Sequence, residues 1–177
     1  MAIGTTIKTI QDIMRKDAGV DGDAQRISQL VWMLFLKMLD ANEELYEWEA
    51  DYVSPIPERL RWRNWAANAE GLTGEGLFDF VNMQLFPKLK NDLPTQGEIG
   101  RRAQVVKDVF EDAYNYMKSG TLMRQVINKI NEINFNSSAD RHTFGGIYEQ
   151  ILRDLQSAGN AGEFYTPRAV TRFIIDR

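Results

Sequence analysis

The sequence predicts an all-α (mainly α) fold, a multi-helix bundle with a short irregular or hairpin insertion near residues 50–76. Three observations carry that expectation. Apolar residues recur at helical spacing over most of the chain. No segment reads as a strand of a parallel sheet. The composition, 177 residues with 44% apolar and 26% charged side chains, is that of an ordinary globular domain with room for one sizeable core.

Ile3, Ile7, Ile10 and Met14 follow each other at four, three and four residues, which is one face of an amphipathic helix. It should stop near 17–23, where Gly19 and Gly22 favour a turn. A second helix is expected from Asp23, as N-cap, towards Glu47. Its stripe is Ile27, Leu30, Val31, Leu34, Phe35, Met38 and Leu39, and Trp32, Met33 and Leu36 fall off it. That pattern predicts a central helix buried nearly all round.

From Ala50 to Gly76 the pattern changes. Pro55 and Pro57 forbid a continuous helix, and three of the four tryptophans lie in this stretch or just before it (Trp48, Trp62, Trp65). Residues 59–65, Arg-Leu-Arg-Trp-Arg-Asn-Trp, alternate basic with apolar, so a small hairpin or an ordered loop both fit. Helical spacing then returns. Leu77, Phe80, Val81, Leu85 and Leu89 predict a helix interrupted by Pro87; Val106, Val109, Phe110, Ala113, Tyr114 and Met117 predict one ending at Gly120. Val126, Ile130 and Ile133 mark another over 122–133, and Phe144, Ile147, Tyr148, Ile151, Leu152 and Leu155 form a last stripe before Gly159.

The chain has no cysteine and one histidine, His142, which excludes a disulfide scaffold, a zinc–thiolate or multi-histidine metal site and a thiol nucleophile. No metal site is expected. Phosphate-binding, zinc-protease and calcium-loop signatures are absent, and His142 reads as a locally bonded first-turn residue. The most apolar run, 30–39, is half the length of a spanning helix and contains Lys37. The expectation is a cytoplasmic protein with no membrane contact.

Net charge is −4, so bulk charge does not propose a nucleic-acid binder. The first fifty residues hold nine acids and five bases, and 101–136 hold six bases and four acids. Candidate DNA contacts are therefore Arg59, Arg61 and Arg63 in the tryptophan stretch, together with the basic middle segment. The arginines and indoles could grip a backbone and stack on bases. Alternatively Leu60, Trp62 and Trp65 anchor the segment on the bundle while the arginines face water.

The C-terminal stretch 159–170 reads Gly-Asn-Ala-Gly-Glu-Phe-Tyr-Thr-Pro-Arg-Ala-Val. Thr166 before Pro167 is a helix start, with Val170, Phe173 and Ile174 as the following apolar face. Free N–H groups at such a start suit a ligand carboxylate, and adjacent aromatics can wall a flat ligand. Thr-Pro also begins many structural helices, so spacing leaves both readings open.

The run Gly-Glu-Phe-Tyr-Thr-Pro-Arg resembles the motif that opens the S-adenosylmethionine domain in modification subunits (HsdM) of type I restriction-modification systems. The resemblance extends back through Ser-Ala-Asp-Arg-His-Thr-Phe-Gly-Gly-Ile-Tyr-Glu-Gln-Ile-Leu at 138–152, and the opening helices resemble the family's N-terminal helical domain. It implies a helical domain over 1–158 and the loop and first helix of an α/β methyltransferase domain over 159–177. The family transfers a methyl group from S-adenosylmethionine to N6 of adenine in duplex DNA. On that resemblance Glu163, Phe164, Tyr165, Thr166, Pro167 and Arg168 form one side of the cofactor site, Thr166 holding the methionine carboxylate and Phe164 and Tyr165 shaping the wall. The implied partners are a specificity subunit, a second modification subunit, a restriction subunit and, through the complex, double-stranded DNA.

The sequence departs from the family in what it lacks. It has neither the glycine-rich loop after the first sheet strand nor the Asn-Pro-Pro-aromatic tetrapeptide that binds adenine. Its last residue, Arg177, falls within a helical pattern. The expectation is a piece of a longer protein, with no catalytic residue of its own, inactive alone and helping assembly and closure around DNA. Two alternatives are a stand-alone helical interaction module, and the N-terminal part of an adenine methyltransferase outside type I systems.

Overall fold

A computed structural model describes residues 3–48 and 51–134. The expected 144–155 helix, His142 and the 159–177 stretch lie outside the described residues. Those described form helices and turns with no strand among them: α1 (Ile3–Met14), α2 (Asp23–Tyr46), a 3₁₀ turn (Glu58–Leu60), α3 (Trp62–Trp65), α4 (Gly74–Asp79), a π turn (Phe80–Leu85), α5 (Phe86–Asn91), α6 (Gly97–Glu111) and α7 (Gly120–Asn131).

The predicted α1 face is the buried one, with Ile7, Ile10 and Met14 closed off from solvent as α1 packs along α7. α2 is central. Every residue from Leu30 to Leu36 is buried, which the off-stripe Trp32, Met33 and Leu36 anticipate. Trp32 meets Phe86 of α5 edge-on at 5.1 Å and Phe110 of α6 at 6.4 Å, so aromatic edges join three helices. Asp23 is not the N-cap. Gly22 holds that position at φ 95°, a conformation glycine adopts without a Cβ clash. Asp23 sits instead in the first turn and pairs with Arg26.

Pro87 does not interrupt the helix. α4, the π turn and α5 run on without a break, and the Phe86 N–H donates to the Val81 carbonyl, five residues back. The wider turn accommodates a ring that lacks an N–H and would collide with the carbonyl four residues earlier.

The helix predicted through Met117 stops at Glu111. Residues 113–119 form a non-helical strap whose N–H groups at 116, 118 and 119 are met by side chains of α2 and of the turn between α1 and α2. The Tyr116 N–H donates to Gln29 Oε1 at 2.8 Å. The Lys118 and Ser119 N–H groups donate to the two Asp17 carboxylate oxygens, both at 2.9 Å. Gln29 Nε2 in turn donates to Asn115 Oδ1 at 2.9 Å. Asp17, Gln29 and Asn115 are all buried, so these bonds are what permits the strap to leave helical structure inside the protein. Met117 is buried but Tyr114 points to solvent, as an extended segment requires.

Candidate functional site

Residues 51–73 cross the end of α2 as turns, so the hairpin option is corrected. The alternation at 59–65 belongs to a 3₁₀ turn and one turn of α-helix. The apolar members go inward: Leu60, Trp62, Trp65 and Ala66 are buried. Each indole finds a partner, with Trp62 Nε1 donating to Asn131 Oδ1 at 2.8 Å and Trp65 Nε1 to the Leu60 carbonyl at 3.1 Å. The two rings meet edge-on at 5.3 Å, and Trp65 continues to Phe80 at 5.4 Å.

The arginines between them do not simply face water. Arg63 donates from Nε to Asp40 Oδ1 at 2.9 Å, from Nη1 to Glu47 Oε2 at 2.7 Å and from Nη2 to the Asp40 carbonyl at 3.1 Å. Arg61 donates to the other Glu47 oxygen at 3.0 Å and to the Ile56 carbonyl at 3.3 Å. Glu47 thus accepts one N–H from each of two guanidiniums, and the planar fork of Arg63 serves Asp40 and Glu47 at once, which a lysine point charge does not reproduce. Burial alone would lower the Arg63 pKa, but the hydrogen bonds and charges of Asp40 and Glu47 outweigh it and raise it. Arg59 is exposed. The arginines were visible in the sequence, whereas their acceptors were not. The available signal was the spacing of Asp40, Glu43 and Glu47 at three and four residues, one face of α2.

Glu43 completes that face. It is buried and accepts from Ser54 Oγ at 2.6 Å and Tyr52 OH at 3.1 Å. Burial pushes its carboxyl pKa up, while Ser54, Tyr52 and Arg61 hold it down by less. Burial likewise raises Asp40 against the pull of Arg63. Tyr52 is raised by burial, then by the charge and hydrogen bond of Glu43, and its ring stacks on Tyr46 at 5.7 Å under the Arg102 guanidinium at 4.7 Å.

A carboxyl that binds its proton more tightly in the folded than in the unfolded chain makes stability fall as pH rises from about 4, the ordinary carboxylate range, through the raised value. Glu43→Gln keeps an oxygen for both hydroxyls and removes the charge. The variant's stability relative to the natural chain should therefore improve between pH 4 and pH 7, measured by urea unfolding at each. Parallel stability curves for the two chains would contradict the buried-carboxylate reading.

Beside this network, Lys37, Asp40, Ala41 and Glu44 of α2 face Asn131, Ile133 and Asn134 across a cleft of about 200 Å³. Burial lowers the Lys37 pKa against the opposing charges of Asp40 and Glu44. The cleft is smaller than the roughly 300–1,000 Å³ of ordinary cofactor sites. It does not fit S-adenosylmethionine. The residues assigned to that cofactor, Glu163, Phe164, Tyr165, Thr166, Pro167 and Arg168, lie outside the described residues. No helix among the described residues is long and apolar enough to cross a membrane.

The chain matches two family models, the HsdM N-terminal domain over residues 3–130 and the N-6 DNA methylase over residues 139–177. It is 66% identical, over its whole length, to 36% of the methylase subunit of the type I restriction enzyme EcoEI from Escherichia coli. Among solved structures it resembles a modification subunit assigned to a type I restriction enzyme of Vibrio vulnificus YJ016, with TM-score 0.79 and 41% identity over 98% of this chain and 39% of that one. A second, solved in work on assembly and conformational transition of the type I R-M system, gives TM-score 0.75 and 34% identity over 99% of this chain and 35% of the other. The chain thus spans little more than a third of the length of these relatives. With the family model covering α1 to α7 almost entirely, the chain belongs to the HsdM N-terminal domain family.

Proposed function

We propose that this chain is the N-terminal part of the modification subunit of a type I restriction-modification system. The full-length subunit transfers a methyl group from S-adenosylmethionine to N6 of adenine in duplex DNA. The observation that carries this reading is the succession, in one chain, of an HsdM N-terminal match and a methylase match, with 66% identity to a type I methylase subunit along the whole of it. The helical domain acts in assembly with a specificity subunit, a second modification subunit and a restriction subunit, and in closing the complex around DNA in the cytoplasm. It has no catalytic residue. Its acidic α2, with Arg61 and Arg63 already engaged by carboxylates, suits protein contact better than primary grip on phosphate. The target adenine has to leave the base stack before its amino group can be reached, which gives closure around the duplex a purpose.

Glu163, Phe164, Tyr165, Thr166, Pro167 and Arg168 would supply one side of the cofactor site, and S-adenosylmethionine would supply the methyl group. The test uses the full-length subunit with its specificity subunit. Tyr165→Ala and Thr166→Val should each weaken S-adenosylmethionine binding by about tenfold, roughly 1.4 kcal/mol, read by calorimetry. In the same complex Arg61→Ala with Arg63→Ala should weaken DNA binding by less than about a hundredfold, roughly 2.7 kcal/mol. Unchanged cofactor affinity in both single variants, or no methyl transfer to adenine by the natural complex, would sink the reading.

A further inference from the structure

The last described residues lie against α2. Lys37, Asp40, Ala41 and Glu44 follow one another at three, one and three residues, which is one face of that helix. Asn131, Ile133 and Asn134 line the same cleft with them. The segment that follows Asn134 therefore starts out from this cleft.

Most charges in this region are matched. Arg61 pairs with Glu47, Arg63 with Asp40 and Glu47, Arg102 with Glu98 and Lys129 with Glu132. Two on the cleft are left, and they are opposite. Among the described residues neither the Lys37 ammonium nor the Glu44 carboxylate makes a hydrogen bond or a salt bridge, and about 10 Å of helix separates the two positions. Lys37 is half-buried, and burial holds its pKa down against the pull of Asp40 and Glu44. A half-buried ammonium gains from a carboxylate brought to it. The sequence past Asn134 supplies the matching pair. From 135 to 148 its only Asp, Glu, Lys or Arg residues are Asp140 and Arg141, within about 20–25 Å of extended chain. Successive side chains of an extended segment point to opposite sides, so a single crossing of the cleft can offer a carboxylate one way and a guanidinium the other. A tether this short holds the pair at an effective concentration on the order of millimolar, where a contact too weak for separate molecules forms.

We infer that the Lys37–Glu44 face of α2 is the docking site of this chain's own next segment, with the Asp140 carboxylate on Lys37 and the Arg141 guanidinium on Glu44. The contact fixes the direction in which the stretch matched by the methylase model leaves the helical domain. It does not depend on the methylation reading, since its test needs neither cofactor nor DNA.

The chain has no cysteine, so a pair can be introduced without background. Ala41→Cys lines the cleft, Ala139→Cys adjoins Asp140, and together they leave all four charges in place. In the 177-residue chain a short bismaleimide should join this pair at least about tenfold faster than Ala18→Cys with Ala139→Cys, because Ala18 is exposed in the turn before α2, far along the helix from the cleft. Reversing the segment's charges, Asp140→Arg with Arg141→Asp, leaves α1 to α7 untouched and should slow the joining about fivefold. Adding Lys37→Glu with Glu44→Lys should restore it. Equal rates for the two cysteine pairs, or a segment reversal without effect, overturns the inference. So does slowing that the α2 reversal leaves in place in a chain of unchanged melting temperature; if that reversal lowers the melting temperature, the segment reversal alone decides. A joined product of twice the chain mass overturns it too, because a second copy would then be the occupant.

Discussion

Arg124→Met should lower the stability of the chain by about 3 kcal/mol, since two loop carbonyls lose their donor at about 1–3 kcal/mol each, read as a shift in the urea midpoint. Arg124 projects from α7 and is buried. Its guanidinium donates to four carbonyls of the loop: Nε to Leu72 at 2.7 Å, Nη1 to Ala66 at 3.0 Å and Asn68 at 3.2 Å, and Nη2 to Trp65 at 3.0 Å. These carbonyls follow α3, where the chain turns back towards α4, and a helix end of one turn has few bonds of its own to offer. Burial lowers the Arg124 pKa, yet guanidinium stays protonated at any working pH. Methionine preserves the stem and strips the donor from the Leu72 and Trp65 carbonyls, while Ala66 keeps Asn131 Nδ2 and Asn68 keeps the Gly71 N–H. Arg124→Lys should recover part of the loss, since three donors on a point charge cannot serve a fan of four acceptors. A loss below about 1 kcal/mol for the methionine variant would mean that water replaces the fork and that Trp62, Trp65, Asn128 and Asn131 suffice to hold the loop.

That fork also explains which parts of the molecule were legible in the sequence. Periodicity found what is decided locally: the buried face of α1, the all-round burial of α2 from Leu30 to Leu36 and the apolar side of α7. It failed where partners lie far along the chain. Asp17 and Ser119, or Gln29 and Tyr116, are separated by about a hundred residues, and no window containing Val106 to Met117 includes the side chains that end the helix at Glu111. Tyr114 and Met117 fit helical spacing by position yet face opposite ways. Residues 59–65 misled differently. Two short helical turns in succession also alternate inside with outside, so a period of two did not separate them from a strand. The arginines were identified, but their charge is balanced by Asp40 and Glu47, whose common face on α2 was readable and was not matched to the loop. The cofactor residues rest on resemblance alone, since Glu163–Arg168 fall outside the described residues.

Gly120→Ala should cost about 3 kcal/mol, the upper part of the range for forcing extra volume into a packed site, although alanine favours a helix over glycine by about 1 kcal/mol. The first residues of α4 and α7 meet backbone to backbone. A Cβ on Gly120 would stand 1.8 Å from the Gly74 carbonyl oxygen and 2.7 Å from its carbon. No rotamer relieves such a contact, because the obstacle is main chain, so the two helix starts would have to separate. Gly76→Ala is the control. It lies in α4 with only Leu72 Cδ2 nearby, at 4.0 Å, and should be neutral or stabilising by up to about 1 kcal/mol. Equal effects of the two substitutions would show that helix propensity, not close approach, sets the outcome. Gly120 also lies one turn before Arg124 on α7, and both grip the same stretch of chain, at Gly74 and at Leu72. Parting α4 from α7 should therefore already loosen the guanidinium fork. The double variant Gly120→Ala with Arg124→Met is then expected to lose less stability than the two single losses added together, by at least about 0.5 kcal/mol. Strict additivity would mean that these two contacts hold the 65–74 segment independently, alongside the bonds of Asn128 to Ala69 and Asn131 to Ala66.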